Sequence, residues 1–343
     1  KKSSKYWING IIIFLGIIII RHFYLNATAN IEDVNPALAG FLGGLGLPII
    51  FSWFVGGLFA AGVAFVIGKV ALGLRSDYLA IVTLGISEIV VSVLKHEEWL
   101  SRGVKNVIGL KRPVPYEIDL QNADWFINLV TYLNSSKLNN VIDINDRQQL
   151  LNNLIIDGSG IFVKLSYAIL FLIVMLIIFY FANKAQLSPW GRMMRAIRDN
   201  ETAANAMGKD VVKQHLIIFV IGAAIVGVAG AMLVTLDGLF TPSGYRPLRF
   251  TFIIWIMVIV GGSGNNLGAI FGGFVIWFAW IEAAPLTTFI INQLTLGLEP
   301  TNALKVHLLD SVPYFRYLFM GLILLLILRY RPKGIIPERV RHS

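Results

Sequence analysis

The chain has 343 residues, of which 56% are hydrophobic and 14% are charged, whereas soluble domains average roughly 45–50% apolar and about 25% charged residues. This composition excludes an ordinary soluble globular domain. The net charge is +9, but the basic residues stand in short blocks beside apolar runs, as in cytoplasmic loops of membrane proteins. We therefore expect a membrane protein without a nucleic-acid partner, since a nucleic-acid-binding protein would carry a basic stripe on a soluble domain.

Apolar runs predict eight membrane-spanning helices, because a helix needs about 20 apolar residues to cross the hydrocarbon core. The predicted spans are 7–25, 48–69, 78–94, 161–181, 216–236, 250–260, 267–284 and 314–328. The first run lacks a signal-peptide cleavage site after it, so we interpret it as a retained span. The glycine-rich segment 37–47 is either a loop or a re-entrant piece. The predicted fold is an all-α, polytopic transmembrane helical bundle forming one domain over residues 1–343.

Loop charges predict the orientation of these spans. Basic residues outnumber acidic ones in the segment 183–215 and in the C-terminal tail, which places both in the cytoplasm. An even number of spans places the N-terminus there as well. The insert 95–160 has nearly balanced charges, and a long loop crosses the membrane largely regardless of charge. We therefore predict a periplasmic, partly folded insert.

The segment 188–208 predicts two short helices between two spans. Ser188 followed by Pro189 is typical of a helix start, and Asp199 or Asn200 can cap a second helix that Gly208 ends in a left-handed conformation. Small side chains make this second helix thin enough to enter a groove of a cytoplasmic partner. The alternative is a solvated, charged loop that only fixes the topology.

The third predicted span contains a carboxylate near its middle. Glu88 is costly in that place and is therefore a functional-site hypothesis. The alternative is that Glu88 faces the bundle and bonds to a neighbouring helix, with Thr83 and Ser87 as the polar residues near it on its own helix. A separate run of small residues around Gly227 and Gly230 predicts close helix packing.

The sequence contains no recognisable catalytic constellation. The histidines have no metal-ligand spacing, and no phosphate-binding G-x-x-x-x-G-K-[ST] loop occurs. With no cysteine, the chain has no thiolate metal site and no cysteine nucleophile. We expect neither a cofactor nor a metal, and no enzymatic activity of the chain itself.

Four ordered motifs resemble the branched-chain amino-acid permease family of ABC importers, and more narrowly its longer, M-type subunit. They are LRSDYLAIVTLGISEIV at 74–90, GRMMRAIRDNETAANAMG at 191–208, VGGSGNNLG at 260–268 and RPKGI at 331–335. The resemblance implies an inner-membrane importer subunit for leucine, isoleucine and valine. The partners it implies are a second homologous permease, two cytoplasmic ATPases that hydrolyse the ATP, and a periplasmic substrate-binding protein.

The resemblance also assigns candidate sites. The short helix of the 183–215 loop would be the coupling helix that receives movement from the ATPases. The residues implied in coupling are Arg192, Arg195, Arg198, Asp199, Glu201, Thr202, Ala203, Ala204 and Gly208. The candidates for the translocation path are Thr83, Ser87 and Glu88.

Two alternatives stay open at this point. Relatives in the same importer family carry urea, short amides or other amino and carboxylic acids, so the substrate could differ. A secondary transporter would instead use internal repeats and intramembrane charges for ion coupling. The isolated Glu88 and the absence of a second similar half disfavour that alternative.

Overall fold

A computed structural model describes residues 48–73, 76–97, 106–108, 110–141, 143–245, 247–299 and 301–338, together with 15, 16 and 18. The glycine-rich segment 37–47 and nearly all of the predicted first span lie outside these residues. Contacts divide the chain into two compact units, residues 1–245 and 246–343.

The described part of the chain is mainly helical, which confirms the prediction of an all-α membrane bundle. The helices of the first unit are α1 (Ile49–Ala71), α2 (Ser76–His96), α3 (Glu117–Gln121), α4 (Asp124–Leu133), α5 (Ser135–Asn139), α6 (Ile144–Leu187), α7 (Pro189–Asp199), α8 (Glu201–Ala206) and α9 (Val211–Asp237). Two two-residue strands, β1 (Val107–Ile108) and β2 (Leu239–Phe240), pair antiparallel, and a 3-10 turn follows at Pro242–Gly244. The second unit contains α10 (Pro247–Gly261), α11 (Asn266–Leu294), α12 (Ala303–Asp310) and α13 (Val312–Tyr330).

Each predicted span within the described residues coincides with a helix. Five helices, α1, α6, α9, α11 and α13, are long and apolar enough to cross a membrane. α2 has 21 residues, which is also a sufficient length, whereas α10 has only 15 residues. The agreement covers the centres of the spans better than their ends.

The helix α6 is much longer than the predicted span 161–181. It has 44 residues, which corresponds to about 66 Å at roughly 1.5 Å per residue. Because the hydrocarbon core is about 30 Å thick, the N-terminal part of α6 projects beyond it. The short helices α3, α4 and α5 belong, like this part of α6, to the predicted insert 95–160. Leu120, Phe126 and Val130 form a hydrophobic core with Ile155 of α6.

Small residues allow two spans of the first unit to approach each other closely. α1 and α9 pack closely at Gly227, where an added Cβ atom would lie 2.5 Å from Cβ of Ala60 and 2.8 Å from the Gly56 carbonyl oxygen. This confirms Gly227 as a packing position, whereas a Cβ at Gly230 would meet nothing within 4 Å.

A buried polar cluster joins α1, α6 and α9. Trp53 Nε1 donates to Thr235 Oγ1 at 3.2 Å, and the Tyr167 hydroxyl donates to the Thr235 carbonyl oxygen at 3.1 Å. All three residues are less than 5% exposed. The cluster therefore ties the middle of α6 to the C-terminal end of α9, the end that lies away from the 188–210 connection.

In the second unit, the motifs at 260–268 and 331–335 meet. The backbone N–H groups of Ile335 and Ile336 donate to the carbonyl oxygens of Val260 and Gly261 at 2.9 and 3.0 Å. Gly262 and Gly334 both have positive φ, 121° and 76°. An added Cβ at Gly262 would collide with the carbonyl group of Ile336, just after the second motif, and one at Gly334 would collide with the backbone of Gly262. The C-terminal segment therefore docks on the turn between α10 and α11.

Candidate functional site: the connection between α6 and α9 and the polar residues of α2

The connection between α6 and α9 consists of two capped helices. The Ser188 hydroxyl accepts a hydrogen bond from the backbone N–H of Gly191 at 3.2 Å, at the start of α7. The Asn200 side chain accepts from the N–H of Ala203 at 2.9 Å, at the start of α8. Gly208 has φ of 76°. The predicted starts and stop are confirmed, with Asn200 rather than Asp199 as the cap.

A small hydrophobic core holds the two helices together. Ile197 of α7, Ala204 of α8 and Val211 of α9 are buried, and Met193 and Met194 pack against them. Ala204 is only 8% exposed. Its methyl group therefore belongs to the interior of the connection, and the part of α8 that a partner can reach lies elsewhere.

The outer surface of α8 and of the two residues that follow it is formed by residues other than Ala204. Thr202, Ala203 and Gly208 are exposed, and Met207 is 81% exposed. Met207 was not among the residues predicted from the sequence. A long, flexible thioether side chain adapts to irregular apolar pockets, so Met207 adds an exposed apolar side chain beside the small residues.

The three arginines of this connection differ in their environments. Arg195 Nη1 donates to the carbonyl oxygen of Gln186 at 3.0 Å, and Arg192 Nη1 donates to that of Leu187 at 3.4 Å. These carbonyls end α6, where cations are favourable. Arg198 forms an exposed ion pair with Asp199 at 3.2 Å, and exposed pairs contribute little stability. Glu201, also exposed, lies in the first turn of α8, where an acidic residue is favourable.

A side-chain hydrogen bond links α7 directly to α9. Trp190 Nε1 donates to Gln214 Oε1 at 3.0 Å, and both residues are partly buried. The sequence gives no signal for this pair, because the two residues are separated by the whole of α8. The bond ties the start of the connection to the first turn of the span that follows it.

The three translocation-path candidates on α2 do not share one environment. Thr83 and Ser87 are half-buried, and the Ser87 hydroxyl donates to the Leu84 carbonyl oxygen of its own helix at 2.7 Å. Glu88 is exposed. Among the described residues no neighbouring helix covers Glu88, so the alternative in which it faces the bundle and bonds to a neighbouring helix stays a prediction. Among all the residues that the structure describes, no group of three or more His, Asp or Glu side chains could hold a metal ion.

Comparisons with known proteins identify the family. The family model described as branched-chain amino acid transport system, permease component, matches residues 13–328. The probable branched-chain amino acid transport permease protein LivM of Methanocaldococcus jannaschii is 25% identical over 92% of this chain and 74% of its own length. The high-affinity branched-chain amino acid transport system permease protein LivM of Escherichia coli is 26% identical over 82% of this chain.

The match covers 56% of the Escherichia coli protein, so the chain spans little more than half of that relative. A probable permease protein LivH of Methanocaldococcus jannaschii is 28% identical over 34% of this chain and 35% of its own length. No solved structure matches the chain. Because the family model covers most of its length, the chain belongs to the family of branched-chain amino acid transport system permease components.

Proposed function

We propose that the chain is the membrane-spanning permease subunit of an ABC importer and forms part of the translocation pathway for leucine, isoleucine and valine. The family match over residues 13–328 carries this proposal. The relatives whose names state branched-chain amino acid transport support the substrate. Urea, short amides and other amino or carboxylic acids remain the alternative substrates, because the sequence-based resemblance includes importers of these compounds.

The proposed importer contains a second homologous permease, two cytoplasmic ATPases and a periplasmic binding protein. Similarity to relatives named LivM and LivH supports a pair of related permeases. The proposed location is the bacterial inner membrane, with both termini and the segment 183–215 in the cytoplasm and the insert 95–160 in the periplasm. Charge distribution supports this orientation.

The proposed coupling element is α8, which would dock in a groove of an ATPase. Its exposed residues Thr202 and Ala203, together with Met207 just after its end, supply a small, largely apolar contact surface. The neighbouring hydrogen bonds of Arg192 and Arg195 to the end of α6 would keep α7 in place while force is applied. The Trp190–Gln214 bond would pass movement of α7 to α9.

Uptake by the reconstituted importer tests the proposal. Proteoliposomes that contain both permeases and the ATPases, with the binding protein outside and ATP inside, should accumulate radioactive leucine. A non-hydrolysable analogue of ATP should abolish accumulation, while ionophores that collapse proton and sodium gradients should leave it unchanged. Gradient-driven uptake without ATP would instead identify a secondary transporter. Competition by urea or acetamide, but not by valine, would contradict the proposed substrate class.

A further inference from the structure

The helix α2 has two different faces. On one face, Ile86 and Val90 line an apolar groove together with residues of α1 that include Phe59 and Val63. Glu88 is two positions from each of these two α2 residues, which is about 200° around a helix with roughly 3.6 residues per turn. Glu88 therefore points away from α1.

Glu88 belongs to an exposed stripe of small and polar residues. Gly85, Glu88 and Ser92 follow one another at helical spacings of three and four residues, so they share a face, and all three are exposed. A Cβ atom at Gly85 would meet nothing within 4 Å, so the surface beside the carboxylate is open. Exposed apolar side chains flank the stripe at Ile81, Leu84 and Ile89.

A carboxylate in this position cannot remain in contact with lipid. Glu88 is the thirteenth of the 21 residues of α2, and charged groups within spans face protein or water-filled cavities. No hydrogen bond or ion pair joins Glu88 to another residue that the structure describes. Its surroundings in the working protein must therefore be completed by water, by substrate, by another subunit or by the part of this chain outside the described residues.

We propose that the stripe formed by Gly85, Glu88 and Ser92 lines the substrate pathway, and that the Glu88 carboxylate binds the ammonium group of the amino acid in transit. The inference rests on the proposed function. The ammonium group of the amino acid needs an anionic partner, which Glu88 offers. Its branched aliphatic side chain needs an adjacent apolar surface, which the flanking residues Ile81, Leu84 and Ile89 offer. The open Gly85 leaves room for the substrate backbone next to the carboxylate. The second permease would close the pathway from the other side.

Transport by Glu88→Gln tests this assignment in the complete importer. Loss of a charged hydrogen-bond partner should lower the initial rate of leucine uptake about ten- to hundredfold. Glu88→Asp should retain more uptake than Glu88→Gln, since it keeps the charge. Co-purification of the other subunits should stay at wild-type levels. Glu97→Gln, the same substitution just after the end of α2, is the matched control and should change uptake by less than about twofold.

Cysteine chemistry provides an independent readout, because the chain has no native cysteine. In the assembled importer, Glu88→Cys should react with a water-soluble methanethiosulfonate, and leucine with its binding protein should slow the reaction. Wild-type uptake by Glu88→Gln would overturn the assignment. An unreactive thiol in Glu88→Cys, combined with loss of the second permease from Glu88→Gln, would also overturn it, since Glu88 would then be a packing residue. Failure of the wild-type importer to take up leucine would contradict the proposed function itself.

Discussion

Adjacent alanines in α8 have opposite environments. Ala204 is buried against Ile197 and Val211, whereas Ala203 is exposed on the outer surface. The two residues are chemically identical, so their sequence could not indicate which one faces a partner. The difference arises because neighbouring positions lie about 100° apart around a helix, so that only one of the two alanines faces the small core. Ala204 therefore holds the connection together, and Ala203 is exposed for the proposed docking of an ATPase.

Replacing Ala203 by Trp should weaken docking of the ATPases without unfolding the chain. Overpacking a close contact typically costs about 1–3 kcal/mol, which corresponds to about five- to 140-fold weaker binding at about 1.4 kcal/mol per tenfold. The measurement is the affinity of the purified permease pair for the ATPases. Ala203→Ser is the control and should bind normally.

The variant Ala204→Trp should behave differently, since its ring would enter the small core beside Met193 and Met194. We expect lower thermal stability of the isolated chain together with weaker docking. Normal ATPase affinity in Ala203→Trp would show that the outer surface of α8 is not the docking surface.

At the level of elements, close packing of α1 and α9 depends on the absence of side chains. In a membrane, association of helices relies on close van der Waals contact, which small residues allow. Gly227 lies at such a contact and Gly230 does not, although both lie in the same run of small residues. Sequence composition identified the run, but only the rotation of α9 determines which glycine meets α1.

Gly227→Ala should destabilise the chain, because its methyl carbon would lie 2.5 Å from Cβ of Ala60. We expect a loss of about 1–3 kcal/mol, the usual cost of overpacking, measured as a lower midpoint of thermal unfolding in detergent. Gly230→Ala is the matched control, since its added methyl group meets nothing. Its midpoint should be unchanged or slightly raised, because alanine is the better helix former. Equal midpoints for the two variants would contradict this packing.

The ends of the helices were harder to predict than their centres. Hydropathy located the apolar part of α6, but the helix begins at Ile144 because Asp143 caps it by accepting from the N–H of Asn145. The polar residues that follow Ile144 carry no hydropathy signal. Likewise, α11 continues to Leu294 despite Pro285 within it, whereas the predicted span ended at residue 284.

At the scale of the whole molecule, contacts between distant segments could not be predicted. The turn at 260–268 and the motif at 331–335 were recognised separately, yet they join through backbone hydrogen bonds, which leave no periodic pattern in the side chains. The Trp190–Gln214 and Tyr167–Thr235 bonds likewise depend on helix positions. By contrast, the caps of α7 and α8 are local and were predictable from Ser188, Asn200 and Gly208.

The helix α6 makes the proposed topology testable within one element, since Asn140 precedes its start and Lys209 follows the short helices after its end. Both residues are exposed, and the cysteine-free sequence allows single-cysteine labelling. The basic segment 183–215 predicts that Lys209 is cytoplasmic. A membrane-impermeant maleimide should therefore label Asn140→Cys in intact cells with an opened outer membrane. It should label Lys209→Cys only after the inner membrane is permeabilised. The reverse pattern would invert the orientation, and labelling of both positions from outside would mean that α6 does not cross the membrane.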